Sequence, residues 1–340
     1  MHFRSLASFA AFISIAALHI GCNSKDENEC APQPSVTPLT IEFEQFEDTI
    51  AAIQSKEQLV SFLTRQPLIR DFMLRRGEYP GDSVFINTLY KRFSSNAFDS
   101  LLIETKRIHG DLSTLKAQFN QAFSNFKHYY PDFNPPKVKT MISGLLDTDM
   151  IVSDSVIIVS LDFFLGKEGK YRPRVYDYQL AKYDPEDIVA SLMLVYGIDT
   201  RFNATDVKDK TVLAEMISYG KAFAFAKHML PCVPDSTFIW YTPQEMAGSK
   251  NNQDLIWARF VQDEILFSTS NEDKRNYLGE RPITTQVGEK CPGRIGLFIG
   301  WQIVKAYMDS HPEMTLQQLM QVGDAQKLFK DSHYKPKQKK

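Results

Sequence analysis

Apolar positions recur at three- and four-residue steps along most of the chain. From Ile41 to about Leu101 the pattern is helical: Phe43, Phe46, Ile50 and Ile53 lead into Leu59, Phe62 and Leu63. Leu115, Phe119, Phe123 and Phe126 predict a further helix over about 114–129, ended by Tyr130-Pro131-Asp132-Phe133-Asn134-Pro135-Pro136. The period then changes. VKTMISGLLD (138–147) and DSVIIVSLDFF (154–164) are rich in β-branched residues, with a polar turn near 147–154 between them. The unbroken apolar run Val156 to Val159 suits a buried strand. The expectation is a small sheet, in the form of a hairpin, within a mostly helical α+β domain.

The second half returns to helical spacing, with clear start signals. Asp184-Pro185-Glu186-Asp187 offers an N-cap Asp, Pro at the first helical position and acids in the first turn. Thr242 with Glu245 and Thr315 with Gln318 read as capping boxes. Between them, TVLAEMISYGKAFAFAKHML (211–230) carries Leu213, Met216, Ile217, Gly220, Phe223 and Ala224 along one stripe. DLIWARFVQDEILF (254–267) reads as another helix. Gly296 and Gly300, four residues apart in an apolar helical run, would let a neighbouring element approach closely.

With 340 residues and 43% hydrophobic content the chain is long enough to bury a substantial core. A net charge of -2 provides no basic field for nucleic acid. The first 21 residues stand apart: a cation at Arg4 precedes an apolar run from Leu6 to Leu18, the layout of a secretory signal. Ile20-Gly21-Cys22 resembles the lipobox of bacterial lipoproteins, with His19 where that pattern usually has Leu. The lipobox implies that Cys22 is diacylated and becomes the mature N-terminus, held by membrane lipid; the alternative is an ordinary signal or a short anchor. Residues 22–40, with Pro32, Pro34 and Pro38, read as a tether, and 332–340 as a basic tail. Residues 41–331 show no interior boundary. Ser24-Lys25-Asp26-Glu27 resembles an export signal for the outer face of the outer membrane, or is simply a polar spacer.

Outside the cytoplasm disulfides are permitted, and three cysteines remain after Cys22. Cys232 and Cys291, both in the folded part, are the expected pair; free buried thiols are the alternative.

The catalytic readings are weak. Gly293, Gly296 and Gly300 match neither G-x-G-x-x-G nor a Walker loop. There is no G-x-S-x-G. His109, His128, His228, His311 and His333 are scattered, none forming the i, i+4 pair of a zinc helix, so each reads as structural. Glu272 and Asp273 read as helix-cap residues. No cofactor or metal is implied.

Several blocks nevertheless resemble the GldB family of gliding-motility lipoproteins from Bacteroidetes: VSLDFFLGKEGKYRP, DPEDIVASLM, VLAEMISYGKAF, WARFVQDEILFSTSNEDKRNYLGERP, CPGRIGLFIGWQIVKAYMDSHPEMTLQQLM and DAQKLFKDSHYKPK. The likeness is densest from about Val159 onward. GldB-like chains in turn resemble a wider group of zinc peptidases that carry His-Glu-x-x-His on one helix and Ser-Glu-Gly on the next. The resemblance therefore implies a zincin-like fold. Here the first helix reads DIVASLMLVYG, and the second has Ser218-Tyr219-Gly220, with Glu215 one turn away. The ligand residues are missing, which implies a scaffold without peptidase activity. It further implies an envelope lipoprotein that supports gliding by protein interaction, with gliding or type IX secretion proteins as partners; the outer membrane is its expected place, and the 24–27 stretch, read as an export signal, would add surface exposure. A metal-dependent hydrolase with an atypical ligand set, or a surface lipoprotein unrelated to movement, are the rivals. The expected groove lies between helix 211–230 and segment 293–307, with Tyr219 and Trp301 as candidate aromatics; core packing competes for each.

Overall fold

The computed structural model describes residue 30, residues 36–146 and residues 148–336. The leader, Cys22 and the end of the basic tail lie outside the described residues. In chain order the elements are β1 (Phe43–Gln45), α1 (Glu47–Ala51), α2 (Lys56–Arg65), α3 (Asp82–Phe93), α4 (Asn96–His109), α5 (Ser113–Tyr129), β2 (Lys137–Met141), β3 (Met150–Val152) and β4 (Val156–Ser160). There follow α6 (Asp187–Ile198), α7 (Val212–Met229), α8 (Asp235–Ile239), α9 (Pro243–Asn251), α10 (Gln253–Gln262) and α11 (Asn271–Tyr277). The chain ends with α12 (Ile295–Ser310), α13 (Leu316–Met320) and α14 (Ala325–Ser332). The molecule is thus a mostly helical α+β protein with one small sheet.

The sheet has the order β1-β2-β4-β3. β1, β2 and β4 are parallel, and β3 runs antiparallel to β4. β4 is buried along its whole length, as its apolar run requires. Val138, Ile157 and Val159 face the core built on α5, α6, α7 and α12, while Val156 and Ile158 face the core of α2, α3 and α4. The sheet therefore separates an amino-terminal helical layer from the larger helical body.

Two strand assignments differ from the sequence expectation. The hairpin does not join 138–147 to 154–164. It joins β3 to β4, with Ile151 opposite Ile158, and β2 lies parallel to β4 with Val138 beside Ile157. The span read as a polar turn thus holds a short edge strand. Likewise Phe43, expected in a helix, is in β1. Both strands are three residues long, too short for a period of two to show.

Helix signals fare better. Thr211, Thr242 and Thr315 each accept a hydrogen bond from the backbone N–H three residues on, and the last two complete capping boxes. α6 begins later than expected, at Asp187. Asp184 lies one turn ahead, its N–H donating to Asp187 Oδ2 at 3.2 Å. Towards the tail, Tyr334 packs edge-on against Trp257, 5.2 Å between ring centres, and donates to Gln253 Oε1.

α7 and α12 form the principal helix pair. A Cβ built on Gly300 would collide with the Met216 carbonyl oxygen, and one on Gly220 would meet Val304 Cγ2 at 2.8 Å. The pairing of 216 with 300 and of 220 with 304 means that the two helices run in the same direction. Gly296 instead seats Tyr277 and Leu278. The glycine face read from sequence thus serves two different neighbours.

That parallel arrangement corrects the expected disulfide. Cys232 follows the end of α7, near Asp235, which accepts from Lys305 Nζ at 2.6 Å in the second half of α12. Cys291 lies ahead of α12, at the opposite end of the pair. Cys232 is bonded to Cys30, and Cys291 is a free, half-buried thiol. Burial pushes its pKa up to about 12, so it carries no thiolate character.

Candidate functional site: a cleft beside the edge strand

A cleft of about 280 Å³ opens where the sheet ends at β3. Met150 and Val152 of β3 form one wall. Opposite, α6 supplies Ser191, Leu194, Val195 and Ile198, the three- and four-residue steps of a single helix face. α6 is apolar nearly all round, a composition that demands burial. Its other faces are buried, but Val195 and Ile198 remain 48% and 38% exposed. α7 adds Tyr219 and Phe223.

Ser191 and Val195 lie one turn apart on α6, and Tyr219 reaches the same cleft from α7. None of the three is a usual zinc ligand. Burial, with a smaller contribution from Glu215, raises the Tyr219 pKa, so its hydroxyl stays protonated at neutral pH. Glu215 is itself engaged by Lys274 at 3.2 Å. Among the described residues no group of three His, Cys, Asp or Glu side chains is arranged to hold a metal ion. The donor set in this cleft does not fit zinc.

The two aromatics expected in the groove part company. Tyr219 lines the cleft. Trp301 does not: it is 1% exposed, stacked on Phe223 with ring centres 4.9 Å apart and capped by Lys305 Nζ at 4.3 Å. It packs between α7 and α8, against Phe223 and edge-on to Phe238.

A second cavity, of about 360 Å³, shares three wall residues with the first: Tyr183, Trp240 and Arg294. Trp240 has left-handed backbone angles at the end of α8, and Arg294 has them at the start of α12. Neither residue stood out in the sequence. Arg294 lies inside a glycine-rich stretch whose glycines drew attention first, and only the fold shows that its side chain is buried.

Three histidines are held by backbone. His109 meets the Leu161 carbonyl at 3.0 Å, His228 that of Ala224 at 2.7 Å and His311 that of Tyr307 at 2.8 Å. Burial lowers the pKa of His109 and His228, keeping both neutral. Glu272 and Asp273, expected as cap residues, lie instead in the first turn of α11 and donate their N–H groups to Ser270 Oγ, which is the cap.

No helix among the described residues is long and apolar enough to cross a membrane. No curated protein and no solved structure matched the chain. The profile of the gliding motility protein GldB matches residues 27–336, the whole helical body with the sheet and the cleft inside it. The chain therefore belongs to the GldB family of gliding motility lipoproteins.

Proposed function

We propose that this protein is an envelope lipoprotein, held in the membrane by an acylated Cys22, that supports gliding by binding partner proteins rather than by catalysis. The observation that carries this reading is the cleft beside β3. Met150, Val152, Val195, Ile198, Tyr219 and Phe223 make its walls mainly apolar and aromatic. β3 is an edge strand, so its outer backbone offers a template for an extended partner segment, with Val195, Ile198 and Tyr219 as side-chain contacts. The helix pair behind an edge strand supports a zincin-like scaffold put to binding use. Partners are expected among the gliding or type IX secretion proteins of the envelope, with the lipoprotein in the outer membrane.

The test is genetic and biochemical. Deletion in a gliding host should abolish single-cell movement, and wild type should restore it. A Val195→Glu, Tyr219→Ala double variant, present at normal level, should not, and should lose partners captured by crosslinking in intact membranes. Normal gliding after deletion would sink the motility role. Stoichiometric zinc with a chelator-sensitive hydrolytic activity would sink the non-catalytic role. Acyl labelling of wild type, absent from Cys22→Ser, checks the anchor.

A further inference from the structure

Arg294 carries a buried positive charge that the fold does not match. It is 7% exposed, and its Nε and Nη1 have no hydrogen-bond acceptor among the described residues. The nearest carboxylate oxygen, Glu280 Oε1, is 4.0 Å from Nη1. The same oxygen faces Lys182 Nζ at 3.6 Å, so one acid serves two cations. Trp240 completes the group. The Arg294 guanidinium lies 4.7 Å from its ring centre, and its indole Nε1, also buried, has no acceptor either. Burial lowers the Arg294 pKa, yet a guanidinium stays charged at any physiological pH. A desolvated charge with idle donors is among the costliest features a fold can keep, and an arriving anion removes that cost.

The surroundings favour an anion. Arg294 sits in the wall between the two cavities. It also stands at the N-terminus of α12, a helix of 16 residues whose dipole adds partial positive charge there. The larger cavity is lined by Lys167, Arg172 and Arg281 besides Arg294, against only Asp177 and Glu245. Glu245 is already engaged in the Thr242 capping box. Tyrosine and tryptophan rings form much of the remaining wall, suited to an apolar or aromatic body. Around Trp240 the cations Lys182 and Arg294 face the acids Glu280 and Asp149, so only the idle Arg294 and Trp240 donors call for a ligand, and a singly charged carboxylate suits them better than a doubly charged phosphate.

We propose that Arg294, with the Trp240 N–H beside it, binds the carboxylate of a ligand whose apolar or aromatic body fills the adjoining cavity. The carboxylate could belong to a free small acid or to an acidic side chain or C-terminus of a partner segment. The second case rests on the reading of the cleft as a partner groove; the first does not.

The experiment is calorimetric titration of the full lipoprotein in detergent with N-acetylphenylalanine and with its amide, N-acetylphenylalaninamide. The acid should bind saturably at millimolar concentration, and the amide about tenfold more weakly or worse. Arg294→Gln should lose the difference between them, with circular dichroism confirming its fold. Should that variant not fold, the acid–amide comparison on wild type decides alone. Equal binding of acid and amide, no binding of the acid, or tighter binding of inorganic phosphate would overturn the proposal. A short peptide ending in phenylalanine, compared with its C-terminal amide, distinguishes a peptide source from a free acid. The two readings fail separately: no partner capture by wild type, with acid selectivity intact, would refute the partner groove alone. Loss of acid selectivity with partner capture retained would refute the carboxylate site alone.

Discussion

Gly220 of α7 and Gly300 of α12 meet across the helix pair with no room for a methyl group between them: a Cβ on Gly220 would stand 2.5 Å from the Gly300 carbonyl oxygen. The obstacle is backbone, so it cannot rotate away. Alanine normally gains about 1 kcal/mol over glycine inside a helix. Here overpacking of about 1–3 kcal/mol opposes that gain. Gly300→Ala should therefore destabilise the protein. Gly248→Ala on α9, where nothing lies within 4 Å, should stabilise it by up to about 1 kcal/mol. Denaturant unfolding of both variants checks the opposite signs.

Lys221 fastens the carboxy-terminal helices to α7. Its buried amine donates to the carbonyl oxygens of Ala204 at 2.6 Å and Val322 at 2.8 Å. Lys221→Met fills the same space but leaves these carbonyls without a donor. A loss of about 2–4 kcal/mol is expected. Limited proteolysis should then cut first in the 199–211 and 321–324 loops that the amine holds.

Asp187 makes stability fall as the pH rises. Burial, and then the neighbouring Asp184 carboxylate, raise its pKa to about 7. The start of α6 would favour an anion, but desolvation outweighs it. In the unfolded chain the group titrates near 3.9, so between roughly pH 4 and 7 the folded protein binds the additional proton. The stabilisation is complete below that window and is lost as the pH passes 7, with a ceiling of roughly 4 kcal/mol. Asp187→Asn keeps the acceptor for the Asp184 N–H and removes the titration. Its denaturation midpoint should drop less than that of wild type between pH 5 and pH 8.

The disulfide predicts a thiol count. In a Cys22→Ser protein, unfolded without reductant, one cysteine should react with a maleimide, and peptide mapping should place the label on Cys291. A label on Cys30 would mean that Cys232 pairs with Cys291 after all. Cys291→Ser should leave stability nearly unchanged. Cys30→Ser should cost about 2–5 kcal/mol, as expected for a bond that closes so long a loop.

Features that depend on neighbouring residues were legible in the sequence. The apolar run of β4, the phenylalanine stripe of α5 and the threonine caps of α9 and α13 are each set within a few residues. The groove expected between 211–230 and 293–307 is instead a tight helix contact at Gly220 and Gly300, and the cleft opens on the other side of α7, against α6 and β3. What escaped was set by partners far along the chain. β1 and β3 are strands because β2 and β4 offer them edges. Cys30 bonds to Cys232 because parallel helices carry Cys291 to the other end of the molecule. Trp301 is core and Trp240 lines the cleft, although both are tryptophans in apolar surroundings. Arg294 is one of many arginines until the fold buries it.

On the proposed lipid anchor, the Cys30–Cys232 bond would also fix where mechanical load enters the protein. Acylation at Cys22 would leave only seven residues between the lipidated cysteine and the crosslink, a reach of roughly 28 Å over eight steps at full extension. Tension between the membrane and a bound partner would pass through that bond to the end of α7, the helix that lines the cleft. The amino-terminal strand and the helices behind it would carry no load. The anchor and the proposed binding face would then be joined through one rigid helix, as a component working against drag requires.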